Sequence, residues 1–245
     1  MDSNKITIAV DFGTSSAKTG LFQGNKLIEV GRGLSLQDVT SLVRKHQPAH
    51  IIISTVSVSR SDIATALGER IPILFLDSTI SLPLSLAYGS PDTLGADRIA
   101  AAVGASQLYP RRNCLVIDAG SCTTYEFIDE NNIYQGGGIS PGIDLKLRAL
   151  HNYTANLPLL ERVTETKLVG DTTNNAMLSG VINGTIAEIR EIIRMYQNKF
   201  PDLQLVICGG DASYFATKLN IEVFVAPELV LTGLKNILDY NVQKP

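Results

Sequence analysis

Two short turns in the sequence each combine a carboxylate with a glycine and hydroxyl groups, a composition suited to phosphate. In such a turn the glycine lets the backbone approach a ligand closely, N–H groups and hydroxyls hold phosphate oxygens, and the carboxylate holds a hydrated Mg²⁺. One turn alone is more typical of an ordinary hairpin, whereas two copies in corresponding places favour phosphate binding. The second turn comprises Asp118, Gly120 and Ser121. The first comprises Asp11, Gly13, Thr14, Ser15, Ser16 and Lys18.

A further pair of reactive side chains lies at the start of a predicted Ala-rich helix over residues 96–108. There Asp97 can accept a proton from a hydroxyl group, and Arg98 can bind a carboxylate or phosphate oxygen. An acidic residue in the first turn of a helix is also favoured by the helix dipole, so Asp97 could instead be an N-terminal charge paired with Arg98. Both interpretations stay open at the level of the residues.

Strands and helices must position these groups. Strand and helix signals alternate along the chain, which indicates an α/β protein whose sheets are covered by helices. The first three strands are separated only by short turns, which predicts a β-meander rather than a βαβ crossover. In chain order we predict strands over residues 5–11, 17–23, 26–31, 50–54 and 72–76, with helices over 35–46 and 60–69.

The strand pattern then restarts at Cys114. An apolar strand again leads into an Asp-x-Gly-Ser turn, and a second meander follows through residues 123–128 and 132–135. A supersecondary unit that recurs with its turn in the same place is typical of an internal duplication. We therefore predict two lobes, residues 1–112 and 113–245.

Two other glycine-containing segments carry smaller expectations. The segment from Gly136 to Gly142 either forms a tight turn or places backbone N–H groups near a substrate, and the residues do not distinguish these roles. The predicted helix over 173–198 has one apolar face, which favours a core or subunit-interface position over a ligand site. Gly180 and Gly184 on this helix predict the close approach of another backbone.

Composition and charge exclude several classes of protein. The 245 residues are 44% hydrophobic and 18% charged, which fits a folded protein and not a disordered one. The formal net charge of −3 leaves no excess of cation, so we expect neither nucleic acid nor a membrane as partner. The apolar run from Ile6 to Val10 is too short for a signal peptide or a membrane span, and we expect a cytoplasmic protein.

A series of short segments along nearly the whole chain carries a family resemblance. They are Asp11 to Lys18, Tyr88 to Pro91, Gly95 to Arg98, Asp118 to Ser121, Gly138 to Gly142, Leu157 to Pro158, Gly170 to Thr173, Gly209 to Gly210 and Ala226 to Leu234. In this order they resemble the type III pantothenate kinases, a family of the actin-like, sugar-kinase and Hsp70 superfamily. The resemblance implies an α/β fold with two duplicated actin-like (ribonuclease H-like) lobes, each a mixed sheet with a β-meander and covering helices.

The resemblance also implies an activity: ATP-dependent phosphorylation of the primary hydroxyl of pantothenate to 4′-phosphopantothenate, the first step of coenzyme A biosynthesis. In it Asp97 is the general base, Asp118 binds a monovalent cation, K⁺ or NH₄⁺, and Asp11 holds the Mg²⁺ of ATP through water. The implied ATP-binding residues are Asp11, Phe12, Gly13, Thr14, Ser15, Ser16, Ala17, Lys18 and Ser121. The implied substrate-binding residues are Tyr88, Gly95, Ala96, Asp97, Arg98 and Thr173. A homodimer with residues of both subunits near the active site is implied as well.

Two alternatives to a pantothenate kinase stay open. The family's first loop usually reads Asp-x-Gly-Asn-Thr, and here Thr14 and Ser15 take the last two places. This departure admits a catalytically silent nucleotide-binding regulator, against which the retained Asp97 and Asp118 count. The second alternative is a kinase of another small hydroxylated substrate, because a fold does not determine a substrate.

Overall fold

The computed structural model describes residues 5–14, 16–68, 70–77 and 79–242. By its contacts the chain divides into two compact units. The first unit consists of Met1–Arg111, Asn131–Gln135 and Glu228–Pro245, and the second consists of Arg112–Glu130 and Gly136–Pro227. Among the described residues, no helix is both long enough and apolar enough to cross a membrane.

The elements of the structure follow the predicted alternation of strands and helices. The strands are β1 Ile6–Phe12, β2 Ala17–Gln23, β3 Lys26–Leu34, β4 His50–Thr55, β5 Ile73–Phe75, β6 Ser85–Leu86, β7 Cys114–Ala119, β8 Cys122–Ile128, β9 Ile133–Pro141, β10 Gln204–Cys208 and β11 Phe224–Val225. The helices are α1 Leu36–His46, α2 Arg60–Leu67, α3 Ala96–Leu108, α4 Ile143–Asn152, α5 Thr173–Lys199, α6 Ala212–Leu219 and α7 Leu229–Val242.

The two sheets repeat one strand order. In the first sheet the order is β3-β2-β1-β4-β5, with β1 antiparallel to β2 and parallel to β4. The second sheet repeats it as β9-β8-β7-β10-β11, with β7 antiparallel to β8 and parallel to β10. The predicted α/β fold, with a meander and a mixed sheet in each half of the chain, is confirmed.

Each sheet buries alternate side chains under its helices, as the two-residue period of a strand requires. In the first unit the buried face includes Ile8, Val10 and, from α1, Val43. In the second unit it includes Ile117 and, from α5, Ile189. Ala9 and Val116, on the opposite faces of β1 and β7, are fully buried as well, so both faces of these two strands are packed.

The C-terminal helix α7 packs backbone to backbone against α3 in the first unit. A Cβ added at Gly233 would lie 1.8 Å from the carbonyl oxygen of Ala100, and one added at Gly104 would lie 2.7 Å from that of Leu229. Any side chain at these two positions would overlap the facing backbone, so the approach requires glycine. Helix α7 thereby holds α3, whose first turn carries Asp97.

The contact units differ from the predicted lobes, residues 1–112 and 113–245, in two segments. Because α7 packs on α3, Glu228–Pro245 belongs to the first unit. Because the start of β9 pairs with β6, Asn131–Gln135 belongs to it as well. The two lobes, as products of a duplication, stay a prediction.

The structure contradicts one of the two expectations for the segment from Gly136 to Gly142. The run forms no tight turn but part of β9, where a Cβ at Gly137 would lie 1.7 Å from the carbonyl oxygen of Tyr125, and it leads to Gly142, the N-cap of α4. A strand without room for a side chain requires glycine. At Gly180 and Gly184, apart from the neighbouring backbone of α5, no described atom of this chain lies within 4 Å of an added Cβ, so the expected approach of another backbone stays a prediction.

Replacing Gly233 with alanine should destabilise the protein, although alanine is the better helix former. Overlap with the carbonyl of Ala100 should cost about 1–3 kcal/mol, as in other overpacked sites, against a gain of about 1 kcal/mol in helix propensity. Urea denaturation measures the free energy of unfolding of Gly233→Ala and of the control Asn236→Ala, whose site on α7 is partly exposed. Stability at or above that of the wild type in Gly233→Ala contradicts this packing.

Candidate active site

The first candidate phosphate loop joins β1 to β2 and begins at Asp11. In the sheet register Asp11 lies opposite Lys18 on β2 and beside Ser54 on β4. The Ser57 hydroxyl donates a hydrogen bond of 2.7 Å to the carbonyl oxygen of Gly13, which ties the loop to the segment before α2. A Cβ added at Gly13 would meet no described atom closer than 3.6 Å. The packing of the described residues therefore does not require glycine at this position, and the space beside it is open to a ligand.

The predicted ATP-binding side chains fall into two groups. Phe12 and Ala17 lie in the hydrophobic core, 2% and 1% exposed, so only their backbone groups are available to a nucleotide. Thr14 and Ser16 are exposed. Ser15 lies outside the described residues.

The start of α3 holds the predicted base and its arginine neighbour. Gly95 is the N-cap of the helix, and Ala96 is its first residue. The Oδ1 atom of Asp97 accepts a hydrogen bond of 2.9 Å from the backbone N–H of Arg98, so the carboxylate covers part of the first turn, whose N–H groups have no partner within the helix. A Cβ at Gly95 would lie 2.5 Å from this oxygen, so a side chain at the N-cap would displace the Asp97 carboxylate.

Arg98 is held against an aromatic ring. Its side chain is buried, and its guanidinium carbon lies 5.8 Å from the ring centroid of Tyr88, within the range of a cation–π interaction. The Tyr88 ring in turn packs against Tyr134, with 5.9 Å between their centroids. Of the predicted substrate-binding residues, the structure brings together Tyr88, Gly95, Ala96, Asp97 and Arg98 in the first unit.

Asp11 and Asp97 are close enough to repel each other. Burial first, and the charge of Asp97 second, raise the pKa of Asp11 from 3.8 to about 6, with partial compensation from Ser54 and Lys18. The first loop and the start of α3 therefore meet in one site within the first unit. A buried carboxylate with a second carboxylate near it favours a bound proton or a bound cation.

The donor set around this pair fits Mg²⁺. Within the described parts of the chain, no three or more His, Cys, Asp or Glu side chains cluster as a metal cage. Mg²⁺ at nucleotide sites instead takes one or two carboxylates, several waters and the phosphates of the substrate. Asp11 on a glycine-containing loop supplies such a carboxylate, and a divalent charge would relieve its repulsion from Asp97.

The second candidate loop, Asp118 to Ser121, lies in the second unit and is enclosed by glycines. A Cβ at Gly209 would lie 2.3 Å from the Oδ1 atom of Asp118, and one at Gly142 would lie 2.7 Å from the carbonyl oxygen of Ser121. Asp118 is the penultimate residue of β7, as Asp11 is of β1. Carboxylate, carbonyl and hydroxyl oxygens in so compact a loop form a donor set suited to a hard cation.

The remaining predicted substrate residue, Thr173, is exposed at the start of α5 in the second unit. It lines a cavity of 990 Å³ whose walls, from α4 and α5, include apolar side chains such as Met177. The same walls contain Lys146, which donates a hydrogen bond of 2.7 Å to Glu188. The two residues of this ion pair are 42 positions apart, on the consecutive helices α4 and α5, and no motif signals it.

Other residues of the site also carry no sequence signal. Ser54 reaches Asp11 only through the parallel register of β1 and β4, and Ser57 reaches Gly13 only through the chain reversal after β4. Tyr134 reaches Tyr88 through the pairing of β6 with β9. Each of these contacts joins residues that are far apart along the chain.

Comparison with known protein families places this geometry among kinases. Residues 7–195 match a family model described as type III pantothenate kinase. A protein of Cytophaga hutchinsonii named type III pantothenate kinase is 40% identical over 237 residues, which cover 97% of this chain and 100% of that protein.

Solved structures extend the similarity to the fold. A conserved candidate Baf family transcriptional activator from Campylobacter jejuni has a TM-score of 0.63 and 22% identity, with 97% of this chain and 100% of that chain covered. A candidate N-acetylmannosamine kinase from Listeria monocytogenes has a TM-score of 0.56 and 11% identity, with 96% and 99% covered. The predicted fold class, that of the actin-like and sugar-kinase proteins, is confirmed.

The raised pKa of Asp11 predicts a pH-dependent cost to stability. The folded protein binds the carboxyl proton of Asp11 more tightly than the unfolded chain does. Protonated Asp11 therefore adds to the free energy of unfolding below the ordinary pKa of 3.8, and this stabilisation is lost as the pH rises through about 6. Above that range the ionised carboxylate should cost about 3 kcal/mol, which Asp11→Asn removes.

Urea denaturation at about pH 4 and about pH 8 measures this difference. Asp11→Asn should exceed the wild type in stability at the higher pH and match it at the lower. The control Asp92→Asn removes an exposed carboxylate of the same unit and should not change the pH dependence. A stability difference between Asp11→Asn and the wild type that does not grow with pH contradicts the buried charge.

Proposed function

Because the chain belongs to the type III pantothenate kinase family, we propose that it transfers the γ-phosphoryl group of ATP to the primary hydroxyl of pantothenate, the first step of coenzyme A biosynthesis. The observation that carries the proposal is the meeting of Asp11, on a glycine-containing loop, with Asp97 at the start of α3. One carboxylate serves the metal of the nucleotide and the other serves the acceptor hydroxyl. Phosphoryl transfer needs both positions filled and little further covalent chemistry.

In the proposed reaction Asp97 takes the proton of the pantothenate hydroxyl while the hydroxyl oxygen attacks the γ-phosphorus. The new P–O bond forms as the bond to the β,γ-bridging oxygen breaks, and ADP leaves with that electron pair. Arg98, held against the Tyr88 ring, pairs with the carboxylate of pantothenate and so fixes its hydroxyl near Asp97. Positioning and charge neutralisation supply most of the rate acceleration.

Asp11 would hold the Mg²⁺ of MgATP through water, beside phosphates bound by the N–H and hydroxyl groups of the first loop. When bound, the ion neutralises charge on the phosphate oxygens. Lys18 lies directly opposite Asp11 in the antiparallel register, so its side chain projects from the same face of the sheet. The Lys18 ammonium group attracts the nucleotide and partly neutralises the negative charge of Asp11 and Asp97.

We also assign to Asp118 a site for K⁺ or NH₄⁺, with Ser121 contacting ATP. The support is the compact second loop, in which Gly209 brings the backbone against the Asp118 carboxylate. A monovalent cation at this point would offset the repulsion between Asp118 and the triphosphate.

A homodimer and a cytoplasmic location belong to the same proposal. The cavity lined by Thr173 supports the dimer, because its walls include the exposed glycines Gly180 and Gly184 beside apolar side chains. A second copy packed on this face would bury those groups, and Thr173 would lie at the interface. Burial of exposed apolar surface is the usual driving force for such association.

The direct test measures ADP release from MgATP with and without pantothenate. The proposal requires release that depends on pantothenate, with phosphate recovered on its primary hydroxyl. A silent regulator would release no ADP, and a kinase of another substrate would release it only when that substrate is added. Either result contradicts the proposal.

Replacing Asp97 with asparagine should remove most turnover and leave ATP binding nearly unchanged. Asparagine keeps the shape of the side chain but cannot take the hydroxyl proton, so we expect a loss of about 10²–10⁴-fold in kcat. The exposed neighbour Asp92 gives the matched control Asp92→Asn, which should turn over at the wild-type rate. An Asp97→Asn enzyme that keeps more than about a third of the wild-type kcat rules out this base.

Turnover should require K⁺ or NH₄⁺ and fall sharply in Na⁺, which has the same charge but a smaller radius. The assay compares rates in KCl, NH₄Cl and NaCl at one ionic strength, so that screening is constant. Asp118→Ala should abolish the preference among the three salts. Equal wild-type rates in all three remove the cation site from the proposal.

A further inference from the structure

The segment from Asn132 to Tyr134 holds residues 83–87, which lead to Tyr88. Three hydrogen bonds join the two segments within the first unit. The backbone N–H of Ser85 donates to the carbonyl oxygen of Asn132 at 3.2 Å, and that of Ala87 donates to the carbonyl oxygen of Tyr134 at 2.9 Å. The Nδ2 atom of Asn132 donates to the carbonyl oxygen of Pro83 at 2.8 Å.

The aromatic rings continue this contact toward Arg98. Tyr134 is fully buried, with no exposed surface, and its ring is tilted 44° to that of Tyr88 with 5.9 Å between the centroids. The ring centroid of Tyr88 also lies 5.8 Å from the guanidinium carbon of Arg98. Tyr88 therefore contacts both the buried ring of Tyr134 and the arginine at the start of α3.

We infer that Tyr134 is a positioning residue for pantothenate: it holds the ring of Tyr88, and this ring holds the guanidinium group of Arg98 in position. This inference rests on the proposed function. Tyr134 has no exposed surface with which to touch a substrate. Its effect is to fix the ring against which the arginine lies.

The need for such a residue follows from how Tyr88 is held. Tyr88 lies two residues beyond β6, which itself has only two residues, and the Tyr88 side chain is partly exposed. An aromatic ring outside any strand would otherwise sample several rotamers, and each rotamer would leave Arg98 with a different neighbour. A buried ring behind Tyr88 selects one of them, because aromatic pairs prefer tilted geometries at this separation.

The approach also depends on the backbone at Asn132. Its φ is +62°, in the left-handed region, where asparagine is tolerated better than most residues. This conformation lets the chain turn into β9 while the Asn132 side chain bonds to Pro83. The turn therefore places Tyr134 beside Leu86 of β6, and the Asn132 side chain bonds to the chain just before β6.

Steady-state kinetics of a double-mutant cycle tests the coupling of Tyr134 with Tyr88. Tyr134→Leu should raise the KM for pantothenate about 3- to 10-fold, the range expected for one aromatic pair, while kcat and the KM for ATP change little. Tyr134→Phe, which keeps the ring, should restore most of the wild-type KM. In a Tyr88→Leu background, Tyr134→Leu should add almost nothing, since its effect passes through the missing ring.

Phe22→Leu is the matched control, because Phe22 is a fully buried aromatic residue of the same unit. It should lower the melting temperature as Tyr134→Leu does and leave the KM for pantothenate unchanged. If Tyr134→Leu does not fold, Tyr134→Met supplies a longer, unbranched side chain that adapts to the space left by the ring, and it carries the same expectation.

Three results would overturn the inference: an unchanged pantothenate KM in the ringless variants, an equal rise in the KM for ATP, or a full effect of Tyr134→Leu in the Tyr88→Leu background. Failure of the proposed function is distinguishable, because the wild type itself would then show no pantothenate-dependent turnover. In that case the inference falls with it.

Discussion

The repulsion between Asp11 and Asp97 is the interaction on which the rest of the site depends. Both carboxylates belong to one unit, and Asp11 lies where water hydrates it poorly, so its pKa rises to about 6. Strongly perturbed carboxylates in a folded protein cluster at functional sites, where a ligand offsets their cost. A nucleotide carrying a divalent cation is such a ligand, which connects the electrostatics of the site to the proposed kinase activity.

Two like charges stay close only if the backbone on both sides is held firmly. Asp11 belongs to β1, which pairs with a neighbouring strand on each side. Asp97 belongs to α3, against which α7 packs at Gly233, and its carboxylate occupies the space that a side chain at Gly95 would fill. The glycines of this unit therefore position the site by permitting close contact. Motion of α3 would separate the carboxylates and lower the pKa of Asp11.

Local patterns were sufficient to predict much of the fold. The meanders, the loop at Asp11 and helix α3 were recognisable because strand period, turn residues and helix starts involve near neighbours in sequence. A tight turn at Gly136, one of the two expectations for this run, was wrong: the run has the composition of a turn, but it forms a strand that lies against the backbone of Tyr125. Tyr134 could not be assigned a role, since its partner strand β6 has two residues and leaves no periodicity.

The central claim is that the divalent cation of a bound nucleotide stabilises the ionised form of Asp11, which burial and the charge of Asp97 destabilise. Titration calorimetry of MgADP binding at about pH 6, in two buffers of different ionisation enthalpy, measures the protons released on binding. Because Asp11 is about half protonated at this pH, the wild type should release about half a proton more than Asp11→Asn. Equal proton release by the two proteins would contradict the account.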